Sequence, residues 1–143
     1  MLLRNDDGYE ISDDPGRLEL GRVHEWLSTD AYWALGRTRE TVDRAVAQSV
    51  NYGLYRAGGG QVGFARFVTD RATFAWLCDV YLDRSVRGKG LGTWFVQTAC
   101  DDIRSYGLRR IILATADAHG IYARVGFTPM VEPDRWMEMR LLP

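Results

Sequence analysis

Two hydrophobic rhythms divide the chain. Leu20, Val23, Trp26 and Leu27 recur at helical spacing and predict a short helix over residues 20–27. Val42, Ala45, Val46 and Val50 make a second stripe, with Thr38 placed to cap it and Glu40 in its first turn. Residues 28–36, between the two, read as a loop carrying aromatics. Residues 52–57 and 61–69 flank three consecutive glycines and predict a hairpin. Residues 73–82 form a nearly continuous apolar run, which suits a strand covered on both faces. Leu91, Phe95, Ala99 and Ile103 then predict the longest helix, from about Gly90 to Tyr106, with Gly107 as its stop. Residues 110–115 read as another buried strand, and residues 118–125 as a short helix closed by Gly126. A first strand at residues 9–12 and two last ones at 127–130 and 136–141, around a loop holding Pro133, complete the set. Helices and strands mixed around one sheet define an α/β or α+β sandwich.

Composition narrows the classes. The 143 residues fit one domain, 1–143, and 46% apolar with 26% charged residues is ordinary globular usage, which excludes a fibre or a disordered tail. A net charge of -1 leaves no global basic field to hold nucleic acid or an acidic membrane. Cys78 and Cys100 both lie in apolar stretches, where two buried thiols are favoured over one disulfide. With only His24 and His119 besides, no metal-ligand spacing exists, so no metal is expected. The first residues turn acidic before a signal peptide or membrane run could form; the expected location is the cytoplasm.

The clearest chemical signal is Arg87-Gly88-Lys89-Gly90-Leu91-Gly92-Thr93, lying between the strongest strand and the longest helix. A glycine-rich turn entering a helix leaves several amide groups unpaired and pointing one way, at the positive end of the helix dipole. Missing Cβ atoms let an anion approach the backbone, and Arg87 and Lys89 add charge. A nucleotide P-loop needs Ser or Thr after its lysine, and Gly90 stands there instead; dinucleotide fingerprints starting at Gly88 or Gly90 meet Thr93 or Phe95 where a small residue belongs. The bland alternative is a tight turn with no ligand.

With these residues the chain resembles the GNAT superfamily of N-acetyltransferases. Their pyrophosphate loop, Arg/Gln-x-x-Gly-x-Gly/Ala, is matched by Arg87, Gly90 and Gly92, and their Tyr-x-x-x-Gly-Phe segment by Tyr122, Gly126 and Phe127. The likeness is good from about Gln61 to Met130 and rests only on element order over the first 50 residues. It implies the acyl-CoA N-acyltransferase fold, a mixed, mostly antiparallel sheet with helices on both faces. It also implies acetyl-CoA as co-substrate. Val80, Tyr81 and Leu82 would pair through their backbone with the pantetheine arm, and residues 87–93 would hold the pyrophosphate. Splaying of this strand from residues 110–115, which would open a slot for the arm, leaves no trace in sequence. Tyr122 matches the tyrosine that donates a proton to the departing thiolate; the alternative is a core aromatic beside Ile121 and Val125.

An attacking amine must lose a proton, and Asp79, a carboxylate inside an apolar strand, is a candidate base. Strand alternation places Asp79 and Tyr81 on one face, and an ion pair with an arginine such as Arg66 is an equal alternative for Asp79. Many relatives carry asparagine where Thr115, Ala116 and Asp117 stand. Relatives bind the acceptor with the first two helices and their loop, here Tyr32, Trp33 and Arg37. The leading expectation is acetyl transfer to a small-molecule amine by direct attack, in a monomer or homodimer. The alternatives are a protein lysine or N-terminal acetyltransferase and a noncatalytic acyl-CoA-binding module.

Overall fold

A computed structural model describes residues 2–142. Six strands form one sheet in simple sequential order: β1 (Leu2–Arg4), β2 (Tyr9–Ser12), β3 (Val50–Arg56), β4 (Gln61–Thr69), β5 (Phe74–Leu82) and β6 (Arg110–Ile112). Every neighbouring pair is antiparallel except β5 and β6, which run parallel. That exception follows from α3 (Leu91–Arg104), the crossover helix between them. Helices α1 (Leu20–Asp30) and α2 (Arg39–Ala47) cover the other face, with Thr38 capping α2 through the Thr41 amide as its sequence predicts. The sheet therefore has two cores. Phe67, Ala75, Leu77, Phe95, Ala99 and Ile103 pack on the α3 side, whereas Phe64 and Tyr81 pack against Val23, Trp26, Leu27 and Val42.

One local irregularity positions the site. Phe64 pairs with Tyr81 and Arg66 with Cys78, so Asp79 and Val80 together oppose Ala65 alone, a β-bulge in β5. Asp79 carries a φ of 52°, a left-handed conformation uncommon for non-glycine residues, though aspartate adopts it more readily than most. The extra residue shifts the alternation: Ala75 and Leu77 face α3, and after the bulge Val80 and Leu82 do so while Tyr81 turns to α1.

Most predicted elements are present; Val50, expected on the second helix's stripe, instead opens β3 because α2 stops at Ala47, and three larger differences follow. β1 is an addition, held by pairing with β2 and not by its own pattern. β6 ends at Ile112, not residue 115, because its pairing with β5 stops at Trp76 opposite Ile112. The two last predicted strands do not form; residues 127–130 and 136–141 run outside the sheet around a short 3-10 turn, Pro133–Arg135. Alternating residues cannot hold a strand without a neighbour to satisfy its backbone.

Candidate active site

Beyond the Trp76–Ile112 pair, β5 and the chain after β6 diverge, and a slot of about 760 Å³ opens between residues 77–82 and Leu113–Thr115. The glycine-rich turn and Tyr122 of α4 (His119–Val125) both line it. The splay that the resemblance implies is thus present, and it exposes the β5 edge at Val80, Tyr81 and Leu82 along the slot.

At the turn, Gly88 and Gly90 have φ of 79° and 75°, the left-handed region that costs a side-chain-bearing residue about 1–2 kcal/mol. Gly90 caps α3 without any side-chain hydrogen bond to the first turn. The amides of Leu91, Gly92 and Thr93 therefore start the helix with no acceptor inside it. Gly88, Gly90, Gly92 and Thr93 all line the slot. Backbone donors at a helix mouth are the kind of group that can hold an anion. Arg87 stands beside them, with Nε donating to the Leu82 carbonyl at 2.9 Å and the guanidinium lying 5.1 Å from the Tyr81 ring centroid. Lys89 is exposed on the same turn.

Sequence reasoning missed Asp30. It ends α1, accepts from the Tyr81 hydroxyl at 2.6 Å, and pairs with Arg84 and, at 3.5 Å, with Arg87. The hydrogen bond from Arg84, and then that from Tyr81, hold its carboxyl well below the usual range. These contacts span more than fifty residues, so no local pattern could signal them.

Tyr122 is half-buried. Gly126, at φ 111°, turns the chain so that the Phe127 amide donates to the Tyr122 carbonyl at 3.0 Å and the two rings meet edge to face at 5.9 Å. That is the local physics of the Tyr-x-x-x-Gly-Phe pattern. Burial pushes the Tyr122 hydroxyl up to about 12. Where relatives carry asparagine, the Thr115 hydroxyl accepts from the Ala118 amide at 3.1 Å and the Tyr32 hydroxyl accepts from the Ala116 amide at 2.8 Å. Tyr32 thereby ties the α1–α2 loop across the slot.

Asp79 sits under that loop. Its Oδ2 accepts from Arg66 Nε at 2.9 Å and Arg37 Nη1 at 2.8 Å, and its Oδ1 from the Trp33 indole at 2.9 Å. Burial alone would raise this carboxyl; Arg66 and Arg37 outweigh burial and hold it below its ordinary value. Asp79 and Tyr81 do share the α1–α2 face, as alternation predicts. Trp33 and Arg37, expected near an acceptor, both bond this one carboxylate, and Tyr32 packs edge to face against Trp33. Cys78, also on the slot, is a free thiol that burial pushes up to about 11; Cys100 is free and buried. Among the described residues no group of three or more acidic, histidine or cysteine side chains could hold a metal, and no helix is long and apolar enough to cross a membrane.

A sheet splayed beside a glycine-rich helix mouth, with a tyrosine on the same slot, is the arrangement that the resemblance implies for a protein acting on an acyl-CoA. The model of the GNAT acetyltransferase family matches residues 20–127, and the chain belongs to that family. It is an acetyl-CoA-dependent acyltransferase. A curated protein of Gibberella zeae, named a putative acetyltransferase, is 30% identical over 135 aligned positions covering 81% of this chain and 76% of its own. A GNAT-family crystal structure from Xanthomonas campestris superposes with a TM-score of 0.86 at 40% identity, covering 93% of each chain. N-acetylglutamate synthase from Neisseria gonorrhoeae, solved with coenzyme A and N-acetyl-glutamate, shares the fold at a TM-score of 0.69 and 17% identity. It matches 88% of this chain and 30% of its own.

Proposed function

We propose that the enzyme transfers the acetyl group of acetyl-CoA to a primary amine of a small molecule, by direct attack within a ternary complex. The observation that carries this is the continuous slot from the free amides at the mouth of α3, along the unpaired β5 edge, to Tyr122. In this reading residues 87–93 take the pyrophosphate and the backbone of Val80, Tyr81 and Leu82 pairs with the pantetheine arm. The thioester then lies against the Asp79–Val80 bulge. A bulge leaves a strand amide without its ladder partner, and such an amide can donate to the oxyanion of a tetrahedral intermediate.

The chemistry around that point favours direct attack. Cys78, with its thiol pushed up to about 11, is about one part in ten thousand thiolate at pH 7, a poor nucleophile for an acyl-enzyme. For Tyr122, full proton transfer to a thiolate of ordinary pKa near 8.5 is uphill by about 5 kcal/mol. We therefore assign it a hydrogen bond that stabilises the departing sulfur, with transfer completed late. Asp79 is poorly placed to take the proton, because its oxygens already accept from Arg66, Arg37 and Trp33. Moving a proton from an ammonium of pKa about 10.4 onto a carboxylate held below its ordinary value is uphill by more than about 9 kcal/mol. Asp79 is accordingly assigned as the anchor of Trp33 and Arg37, with the amine losing its proton through slot water.

The roof formed by Tyr32, Trp33 and Arg37 favours a compact acceptor over a protein substrate, which would need an open groove. A panel of free amines and lysine peptides, assayed by thiol release from acetyl-CoA, tests this. Turnover on a free amine is expected to exceed that on every peptide; the reverse ranking removes the small-molecule reading.

A further inference from the structure

Three aromatic side chains stand open on the slot. Trp76 of β5 is 43% exposed, Trp33 42% and Tyr32 49%; all three line the cavity and none belongs to either core. Ala75 and Leu77 face α3, so Trp76 stands on the opposite face of the sheet, the side that Trp33 and Asp79 share. Its cross-strand neighbours are Val68, itself 38% exposed, and Ile112, which extend the apolar floor to either side. Large apolar rings left open in a pocket mark a surface that a ligand covers.

Two of these rings are fixed before any ligand arrives. The Trp33 indole donates to Asp79 at 2.9 Å, the Tyr32 hydroxyl accepts from the Ala116 amide at 2.8 Å, and the two rings meet edge to face at 5.0 Å. Side chains already ordered lose little freedom on binding, so contact with them adds affinity efficiently. Three strand residues separate Trp76 from Asp79, about 10 Å, which places a flat group on Trp76 one short linker from a nitrogen at the Asp79–Val80 bulge.

Charge fixes what that group carries. Asp30 is paired with Arg84 and Arg87, and Asp79 with Arg37 and Arg66. These carboxylates are already neutralised, and these arginines are not free for an acceptor carboxylate. Asp117 differs. It is exposed on the slot wall, next to the Ala116 amide that Tyr32 holds, and among the described residues no hydrogen bond or ion pair engages its carboxylate. Its charge reaches the Tyr122 hydroxyl. One unpaired anion beside the reacting end of the slot suits one ammonium.

We propose that the acceptor is an arylalkylamine: a single primary ammonium drawn to Asp117, joined by a short linker to a flat, uncharged ring that lies against Trp76 and Trp33. This rests on the proposed transfer from acetyl-CoA and narrows its acceptor. The ammonium first gives one proton to slot water. The nitrogen then bonds the acetyl carbon as the C–S bond breaks, and its second proton leaves with the sulfur as coenzyme A thiol.

Calorimetry with coenzyme A, then thiol-release kinetics on 2-phenylethylamine, tryptamine, n-octylamine, spermidine and phenylalanine, tests this. Phenylalanine is the contrasting probe for Arg124, which lines the slot outside the ion pairs and could hold a carboxylate. Both arylalkylamines are expected to rank first, with kcat/KM about 10-fold above n-octylamine, which stacks on nothing. Any of the other three equalling or exceeding both, or turnover of none of the five while coenzyme A binds, overturns the aryl acceptor alone. No binding of coenzyme A overturns the transfer reading with it. Trp76→Ala should raise the KM for 2-phenylethylamine about 10-fold with kcat and coenzyme A affinity kept, and Trp76→Phe should restore most of the loss. An unchanged KM in Trp76→Ala refutes the ring's seat. Asp117→Asn should raise the same KM at low salt, with the difference shrinking as salt rises; an identical KM at low salt refutes the ammonium's place.

Discussion

Replacing Asp79 by Asn separates the anchor from the base. The side chain is 3% exposed and its partners Arg66 and Arg37 are 11% and 22% exposed, so the pair is shielded from water. Asparagine has nearly the same shape but offers an uncharged oxygen and an amide that faces a guanidinium. Breaking one side of a buried ion pair costs about 3–5 kcal/mol. Since Arg37 keeps some access to solvent, the lower end, about 3 kcal/mol, applies. For a domain of this size that lowers Tm by roughly 10 °C. The sign with pH is fixed by the direction of the shift. A carboxyl held below its free value stabilises the fold when ionised, fully above about pH 3.9. That contribution is lost as pH falls through the folded value, so wild type loses stability steeply below about pH 4 and Asp79→Asn less steeply. Circular dichroism melts from pH 2.5 to 8, with the pH–rate profile of both proteins at permissive temperature, check the account. The variant should melt lower and keep the shape of the profile, with a higher acceptor KM as Trp33 and Arg37 loosen. An unchanged Tm with a lost or shifted rate limb would refute the anchoring role and restore Asp79 as the base.

Three further outcomes are expected. Tyr122→Phe should leave acetyl-CoA affinity intact by calorimetry while kcat falls about 10²–10³-fold, the loss of one aimed donor; unchanged kcat removes Tyr122 from the mechanism. Gly90→Ala adds a Cβ that meets no atom within 4 Å, so its cost is the φ of 75°: about 1–2 kcal/mol of stability and weaker coenzyme A binding, with wild-type Tm refuting the strained turn. Tyr55→Phe removes a buried hydroxyl that has no hydrogen-bond partner, so the Tm should stay level or rise; a loss beyond about 1 kcal/mol would mean the hydroxyl is satisfied after all.

The sequence announces what is local and hides what is assembled across the chain. The α3 stripe and the glycine turn are legible because helix period and left-handed φ impose residue choice directly: Leu91, Phe95, Ala99 and Ile103 are all buried, and Gly88 and Gly90 both sit at positive φ. Asp79 is legible as an anomaly, a carboxylate in an apolar strand, and its Arg66 partner follows from strand adjacency. Its second partner is not, because Arg37 arrives from a loop forty residues away. The bulge at Asp79 breaks the alternation on which strand reading depends, so the face of Leu77 relative to Tyr81 cannot be counted from spacing. The strand pattern at 136–141 is a different case. The alternation is real, but pairing needs an edge, and β6 offers one that this segment does not reach within its own chain.

Hydrogen exchange with and without coenzyme A probes the central geometry directly. Slowed exchange is predicted at two separate stretches, the β5 edge around residues 80–82 and the amides of 88–93, with residues 127–131 unaffected. Ligand-induced protection confined to residues 127–131, or none at saturating coenzyme A, would contradict a diphosphate held at the mouth of α3.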